Sequence, residues 1–153
     1  MHKNSGFTII EILTVLAIIA IVLGIVIPNV LGWLPRYRLS SGAEEIQSTL
    51  QLARLGAIKQ NMKATVTFST ATHTFLTKID DQTIKNGKMP AGIIIDSVSP
   101  SSQVEFDSRG LANDTSEIKV KNNQGGTKTI TVNIVGVTSV CLLYTSPSPR
   151  DRS

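Results

Sequence analysis

The sequence predicts an α+β protein in which a long N-terminal helix, one half transmembrane and the other amphipathic, packs on an antiparallel β-sheet head. Three observations predict it. The stretch Phe7–Ile27 is apolar apart from Glu11 and two threonines. Apolar side chains then recur at spacings of three and four between Ala43 and Ala57, which is a helical stripe. From Ala64 the period changes to two, as in a strand with one buried face.

The first run is close to the roughly 20 residues that an α-helix needs to cross a bilayer. Glu11 is the anomaly in it. An ionised carboxylate costs about 2.5–3.5 kcal/mol at mid-membrane and less near the edge, so its presence asks for a partner. A secretory signal peptide has an apolar region of about 7–15 residues and a small-residue cleavage site, and this run passes that length without such a site. A plain single-span anchor with a tolerated edge acid is the competing reading, and it needs no partner. Lys3 lies on the leader side, which puts that end in the cytoplasm and the head in the periplasm or outside the cell.

Pro28, Gly32 and Pro35 follow the run, so the helix is expected to weaken or bend there, at Pro28 first. Trp33 and Tyr37, with Arg36 and Arg38, have the composition of a membrane-interface belt, or else Trp33 packs on the head. The second helical segment covers about Ser41 to Lys59. Its stripe is Ala43, Ile46, Leu50, Ala53 and Ala57, with Glu45, Arg54 and Lys59 expected to face water. Ser41 and Glu44 have capping-box spacing, a coincidence if the first helix runs straight through.

Strands are expected at Ala64–Phe68, Phe75–Ile79, Gly92–Ile95, Val104–Phe106, Glu117–Lys121 and Thr127–Val135. Asp80-Asp81 reads as a turn, Asn86–Pro90 as a loop and Asn122–Gly126 as a hairpin loop. The roughly 110 residues beyond the span support one small domain, with a core of one sheet against one helix. Aromatic residues make up only 5% of the chain, so that core must be built from Ile, Val, Leu and Ala.

The last thirteen residues, Cys141 to Ser153, have no periodicity, and CLLYTSPSPRD resembles the in-frame translation of a sequencing-library adapter. The chain's own sequence is therefore expected to end near Val140. The sole cysteine, Cys141, falls in this tail, so no disulfide forms within the chain. The formal charge of +4 falls by one without Lys3 and by one more without Arg150, Asp151 and Arg152. What remains is too small to argue for a nucleic-acid partner.

No nucleotide loop, metal cluster or nucleophile–base set is evident, and no cofactor is expected. His2 is in the leader, and His73 reads as a solvated loop residue beside a turn. Asp80-Asp81 alone supplies too few oxygens to hold calcium well.

Lys3-Asn4-Ser5-Gly6, then Phe7, then an acid at Glu11 and a proline at Pro28 agree in register with a known pattern. The stretch GFTIIEILTVLAIIAIVLGIVIP resembles the N-terminal signal of type IV pilins and type II secretion pseudopilins. The resemblance implies cleavage by a prepilin peptidase after Gly6 and N-methylation of Phe7. It implies that Glu11 meets the terminal amine of a neighbouring subunit during assembly on an inner-membrane platform. Charge neutralisation removes much of the burial cost of the carboxylate. Ala53-Arg54-Leu55-Gly56-Ala57-Ile58, Phe106-Asp107-Ser108-Arg109-Gly110 and Gly136 are similar to a narrower group, the minor pseudopilins of the general secretion H and FimT type. The expected organisation is a leader (1–6), a transmembrane and filament-core helix (7–31), an amphipathic helix (32–59), a β-rich head (60–140) and the tail (141–153).

Three functional classes follow. The first is a structural subunit of a secretion pseudopilus or a type IV pilus, single-pass in the bacterial inner membrane and extracted into a filament. The second is a head displayed by the filament as a receptor for DNA or a surface. Lys85, Lys88, Lys119, Lys121 and Lys128 are its candidate cations, although acids interleave with them. An enzyme ranks last.

Overall fold

The computed structural model describes residues 8–143, with the side chains of residues 27–31, 142 and 143 left out. One helix, α1, spans Ile9–Gln60. It is followed by eight strands: β1 (Ala64–Ser69), β2 (Thr74–Ile79), β3 (Gln82–Lys88), β4 (Ile93–Ser99), β5 (Gln103–Phe106), β6 (Ser116–Asn122), β7 (Thr127–Val132) and β8 (Thr138–Leu143). The chain divides into two units between Leu34 and Pro35. The first holds the N-terminal part of α1, and the second holds the rest of α1 and every strand.

The helix is assigned without interruption through Pro28, Gly32 and Pro35. Ser41 therefore starts no helix, and the capping-box spacing at Ser41–Glu44 is coincidental. Instead the Ser40 hydroxyl donates to Glu44 Oε1 at 3.1 Å within the helix surface. The helix stops at Asn61, whose φ of 53° is left-handed. The Asn61 N–H reaches the Ile58 carbonyl at 3.3 Å and the Met62 N–H reaches the Ala57 carbonyl at 3.1 Å. That pair of bonds is a Schellman motif, with asparagine in the place glycine usually takes.

The head contains two four-stranded antiparallel sheets, where one sheet was expected. Their orders are β3-β2-β1-β5 and β4-β6-β7-β8. Ala43, Ile46, Leu50, Ala53 and Ala57 of α1 are all fully buried, as the stripe predicts. They share one core with Val66, Phe68, Phe75 and Ile79 of the first sheet and Ile93, Ile118, Ile130 and Val132 of the second.

Two strands lie outside the expected set. β3 occupies the segment Asn86–Lys88 that reads as loop, because it is an edge strand lying mostly in solvent and shows no apolar alternation. It is held from the side by Lys85. The ammonium donates to Thr49 Oγ1 at 3.0 Å, lies 3.7 Å from Glu45 Oε1 and sits 5.4 Å from the Phe75 ring centre. β8 begins at Thr138 and runs three residues past Val140, paired with β7 along its length. Residues 144–153 of the tail lie outside the described residues. β7 stops at Val132, earlier than its alternation suggests, because a turn begins at Asn133.

That turn is one of three with the same construction. Asp107, Asn122 and Asn133 each open a turn whose fourth residue is a left-handed glycine, respectively Gly110, Gly125 and Gly136. In each, the glycine N–H bonds back to the carbonyl of the opening residue. The side-chain Oδ1 then accepts the next N–H, from Leu111 at 2.9 Å, Gly126 at 2.7 Å and Val137 at 2.8 Å. Only glycine adopts that φ without strain, which explains the Asx-x-x-Gly spacing.

Replacing Ile46 by Ala should lower the unfolding free energy by about 2–5 kcal/mol, because the stripe leaves a cavity between helix and sheets. Ser48→Ala, on the exposed face of the same helix, should stay within about 0.5 kcal/mol in the same denaturation measurement.

Candidate functional site

The N-terminal site begins outside the described residues, which exclude Gly6 and Phe7. Glu11 is described, in the first turn of α1. Thr8 caps that turn: its hydroxyl accepts the Glu11 N–H at 3.3 Å and its carbonyl accepts the same N–H at 3.1 Å. Thr8 and Glu11 thus have the S/T-x-x-E spacing of a capping box, a signal present in the sequence but sought at Ser41 instead. An acid in a first turn also gains about 0.3–1 kcal/mol from the helix dipole. Among the described residues, no basic side chain pairs with the Glu11 carboxylate.

Past Glu11 the helix is apolar on all sides. The 18 residues Ile9–Val26 have a mean hydropathy of 3.0, and none is buried by the rest of the chain. At 1.5 Å per residue they span about 27 Å, close to a hydrocarbon core. A helix hydrophobic all round requires lipid or other helices around it. Pro28 lies in the helix, with its side chain undescribed. Trp33 and Tyr37 are both more than half accessible or close to it, at 50% and 60% exposure.

In the head, the three segments similar to the H and FimT group meet at one side chain. Arg54 is partly buried and bonded to the head, where its place on the helix suggests a free water-facing side chain. Its Nε donates to the Gly110 carbonyl at 3.0 Å and its Nη2 to the Val135 carbonyl at 3.2 Å. One guanidinium therefore fastens the Asp107–Gly110 turn and the Asn133–Gly136 turn to the helix. Gly136 is needed twice over: its φ is 76°, and a Cβ there would collide with the Gly110 carbonyl. Each arginine donor replaces water at a carbonyl that no strand satisfies, so the junction gives two loops fixed positions.

The Asp107 turn is anchored by charge as well. Asp107 Oδ1 accepts the Leu111 and Arg109 N–H groups, both at 2.9 Å, while Oδ2 accepts Arg109 Nε at 3.0 Å. These bonds, the Leu111 N–H foremost, hold the carboxyl below its ordinary value of 3.8.

The candidate DNA-contacting lysines do not form one face. Lys85 and Lys88 are on β3 of one sheet; Lys119 and Lys121 on β6 and Lys128 on β7 belong to the other. Lys121 lies 2.8 Å from Asp96, Lys119 lies 3.9 Å from Glu117, and Lys128 donates to Ser40. His73 has a left-handed φ of 53° and is half-buried, its Nδ1 sealed from solvent, where a solvated loop side chain was expected. Among the described residues, no three His, Cys, Asp or Glu side chains gather to hold a metal. A shallow polar cleft lies between Gln103, Glu105, Asn113 and Ser116, but the Glu105 carboxylate already accepts bonds from Gln103 and Asn113.

Two outcomes follow. Arg54→Met should cost about 1.5–3 kcal/mol of head stability and speed hydrogen exchange at the Gly110 and Gly136 amides, with the sheets unaffected. Because Asp107 is depressed in the folded state, its contribution is complete above the ordinary carboxylate range. That contribution is lost as pH falls through the lower folded value. Asp107→Asn should therefore shrink the loss of stability between neutral and strongly acidic pH, measured by urea unfolding at both.

Comparisons with known proteins agree with this geometry. A family model described as type II transport protein GspH matches residues 42–136, which is more than half of the chain. A second, described as the prokaryotic N-terminal methylation motif, matches residues 1–27. No curated protein sequence matches. Among solved structures, the chain is similar to the type IV minor pilin FimU of Pseudomonas aeruginosa PAO1. The identity is 16% and the TM-score 0.59, over 69% of this chain and 90% of that one. It is also similar to the minor pseudopilin EpsH of the Vibrio cholerae type 2 secretion system, at 16% identity and TM-score 0.57, over 69% of this chain and 97% of that one. At such identities the structural likeness speaks for the fold, while the family rests on the matched models. The chain belongs to the GspH family of type II transport proteins, a family of minor pseudopilin and pilin subunits.

Proposed function

We propose that the chain is made as a precursor with residues 1–6 as leader, held in the bacterial inner membrane by its apolar helix, with the leader cytoplasmic and the head periplasmic. Prepilin peptidase cuts after Gly6 and the new terminus, Phe7, is methylated. The subunit is then extracted by the assembly platform into a secretion pseudopilus or a type IV pilus, two systems with the same assembly physics. Residues 7–31 serve as the filament-core helix, residues 32–59 carry the head, residues 60–140 form it, and residues 141–153 are adapter-derived, the first three of them continuing β8 by pairing with β7.

The observation that carries this reading is an apolar helix, unburied from Ile9 to Val26, with one carboxylate in its first turn. Such a surface calls for an apolar environment, and Glu11 in that environment calls for a cation. The terminal amine of a neighbouring Phe7 supplies it, four residues and about 6 Å along the helix axis. Pairing offsets the desolvation of both charges and selects one axial register between subunits. Pro28 has no N–H, so one i→i−4 bond is missing and the helix can bend there as it leaves lipid for filament.

Co-expression with a prepilin peptidase tests the processing step. The expected product starts at Phe7 and is one methyl group heavier than the unmodified peptide. An intact Met1 terminus, under conditions that process a control pilin, would identify an ordinary anchor. Glu11→Ala should be cleaved normally yet be absent from sheared filaments.

A further inference from the structure

A polar cleft lies where the chain passes from the first sheet to the second, lined by Ser101, Gln103, Glu105, Asn113, Asp114 and Ser116. Alternation along β5 puts Val104 and Phe106 in the core and turns Gln103 and Glu105 outward. The following segment is tied back against that strand. Phe106 bridges Ala112, and the Asn113 N–H donates to the Glu105 carbonyl at 3.1 Å. Ser116 then opens β6 of the second sheet. Backbone bonds alone therefore bring two carboxylates, Glu105 and Asp114, to one cleft.

No positive side chain answers them. Among the described residues neither acid makes an ion pair, and no lysine, arginine or histidine lines the cleft. Amides hold Glu105 in place instead: Gln103 Nε2 donates to Oε1 at 3.1 Å and Asn113 Nδ2 to Oε2 at 3.4 Å. An ionised carboxylate has about four acceptor positions, so about two remain free on a side chain whose orientation is already set. Ser116 is a separate sign of a ligand. It is only 2% exposed, it lines the cleft, and among the described residues its hydroxyl has no hydrogen-bond partner. A hydroxyl taken out of water without a bond is destabilising, and this one shares its cleft with two carboxylates.

We infer that this cleft binds a calcium ion through the Glu105 and Asp114 carboxylates and the Ser116 hydroxyl, with water completing the coordination. Every donor is an oxygen, which suits calcium or magnesium and disfavours zinc and copper. The donors come from a strand, a bend and the start of a second strand. Such an irregular set fits the variable geometry of calcium better than the octahedron that magnesium demands. Two carboxylates are few for a tight site, so the Kd falls at about 0.1–1 mM, the range of extracellular calcium modules. Bound there, the ion ties β5 of one sheet to the start of β6 of the other. It thereby closes the connection whose Gly110 carbonyl Arg54 holds.

The inference concerns the head alone and stands apart from the filament reading, so it is tested on the unassembled full-length chain in detergent. Amide hydrogen exchange of residues 103–106 and 113–117 is followed by mass spectrometry in calcium chloride, in magnesium chloride, and in chelator with sodium chloride at matched ionic strength. At about 10 mM calcium, roughly ten times the weakest expected Kd, exchange in both segments should slow about tenfold. The Asn122–Gly126 turn should be unaffected. Asp114→Asn changes an exposed carboxylate with no bond among the described residues, so it should remove the calcium effect and leave the rates in chelator unaltered. Ser116→Ala should weaken the calcium effect while its rates in chelator stay equal or fall, an outcome that a purely packing role would not give. Equal slowing by magnesium or sodium chloride overturns the calcium site, as does a calcium effect that survives Asp114→Asn. So does the absence of any slowing in calcium.

Discussion

Complete burial of one helical stripe fixes the architecture of the head. Ala43, Ile46, Leu50, Ala53 and Ala57 are each removed from water, and both sheets contribute to the core that covers them. Ile46 and Leu50 supply most of the transfer energy, about 1.5–3 kcal/mol apiece. The three alanines let strands approach the helix axis closely. A rotation of the helix by one residue would bring Glu44 or Gln47 into the core, and burying an unpaired polar group costs more than any gain in packing. The rotational position of α1 in the head is therefore tightly specified. Arg54, beside this stripe, inherits a fixed direction, and with it the two turns that it holds.

Much of this is legible in the residues. The stripe, the hairpin at Asn122–Gly126, the turn at Asp80-Asp81 and most strands follow from periodicity and turn chemistry, and each is present. The misses have physical causes. β3 is an edge strand with little burial, so no alternation betrays it; its place depends on backbone bonds to β2 and on the reach of Lys85. β8 pairs through backbone groups, which every residue carries. Arg54 reads as a solvent-facing cation because its acceptors are carbonyls from segments 56 and 81 residues away. Thr8 and Glu11 could have been paired from spacing alone, but an apolar run draws attention to its membrane length and away from its capping.

Charges in the two units behave differently. In the head, acids and bases find local partners: Asp107 with Arg109, Asp96 with Lys121, Glu45 with Lys85. Most of these are accessible, and pairs of that kind contribute about 0–1 kcal/mol each. Glu11 is the contrast, a carboxylate on a wholly apolar stretch with no basic partner among the described residues. Under the proposed assembly, that charge is the one whose partner comes from another chain. A helix that is apolar on all sides packs in any apolar surrounding, so within the proposed filament Glu11 is the group that would set its register.

The most direct test measures that pairing in the assembled filament. Subunits of this chain carrying 13C at the Glu11 carboxyl are assembled with neighbours carrying 15N at their terminal amines, and dipolar coupling is read by solid-state nuclear magnetic resonance. The account expects coupling at ion-pair distance between chains, and none in the unassembled mixture in detergent. A Glu11 carboxyl in intact filaments without a neighbouring amine, or paired with a lysine or arginine side chain instead, would contradict it.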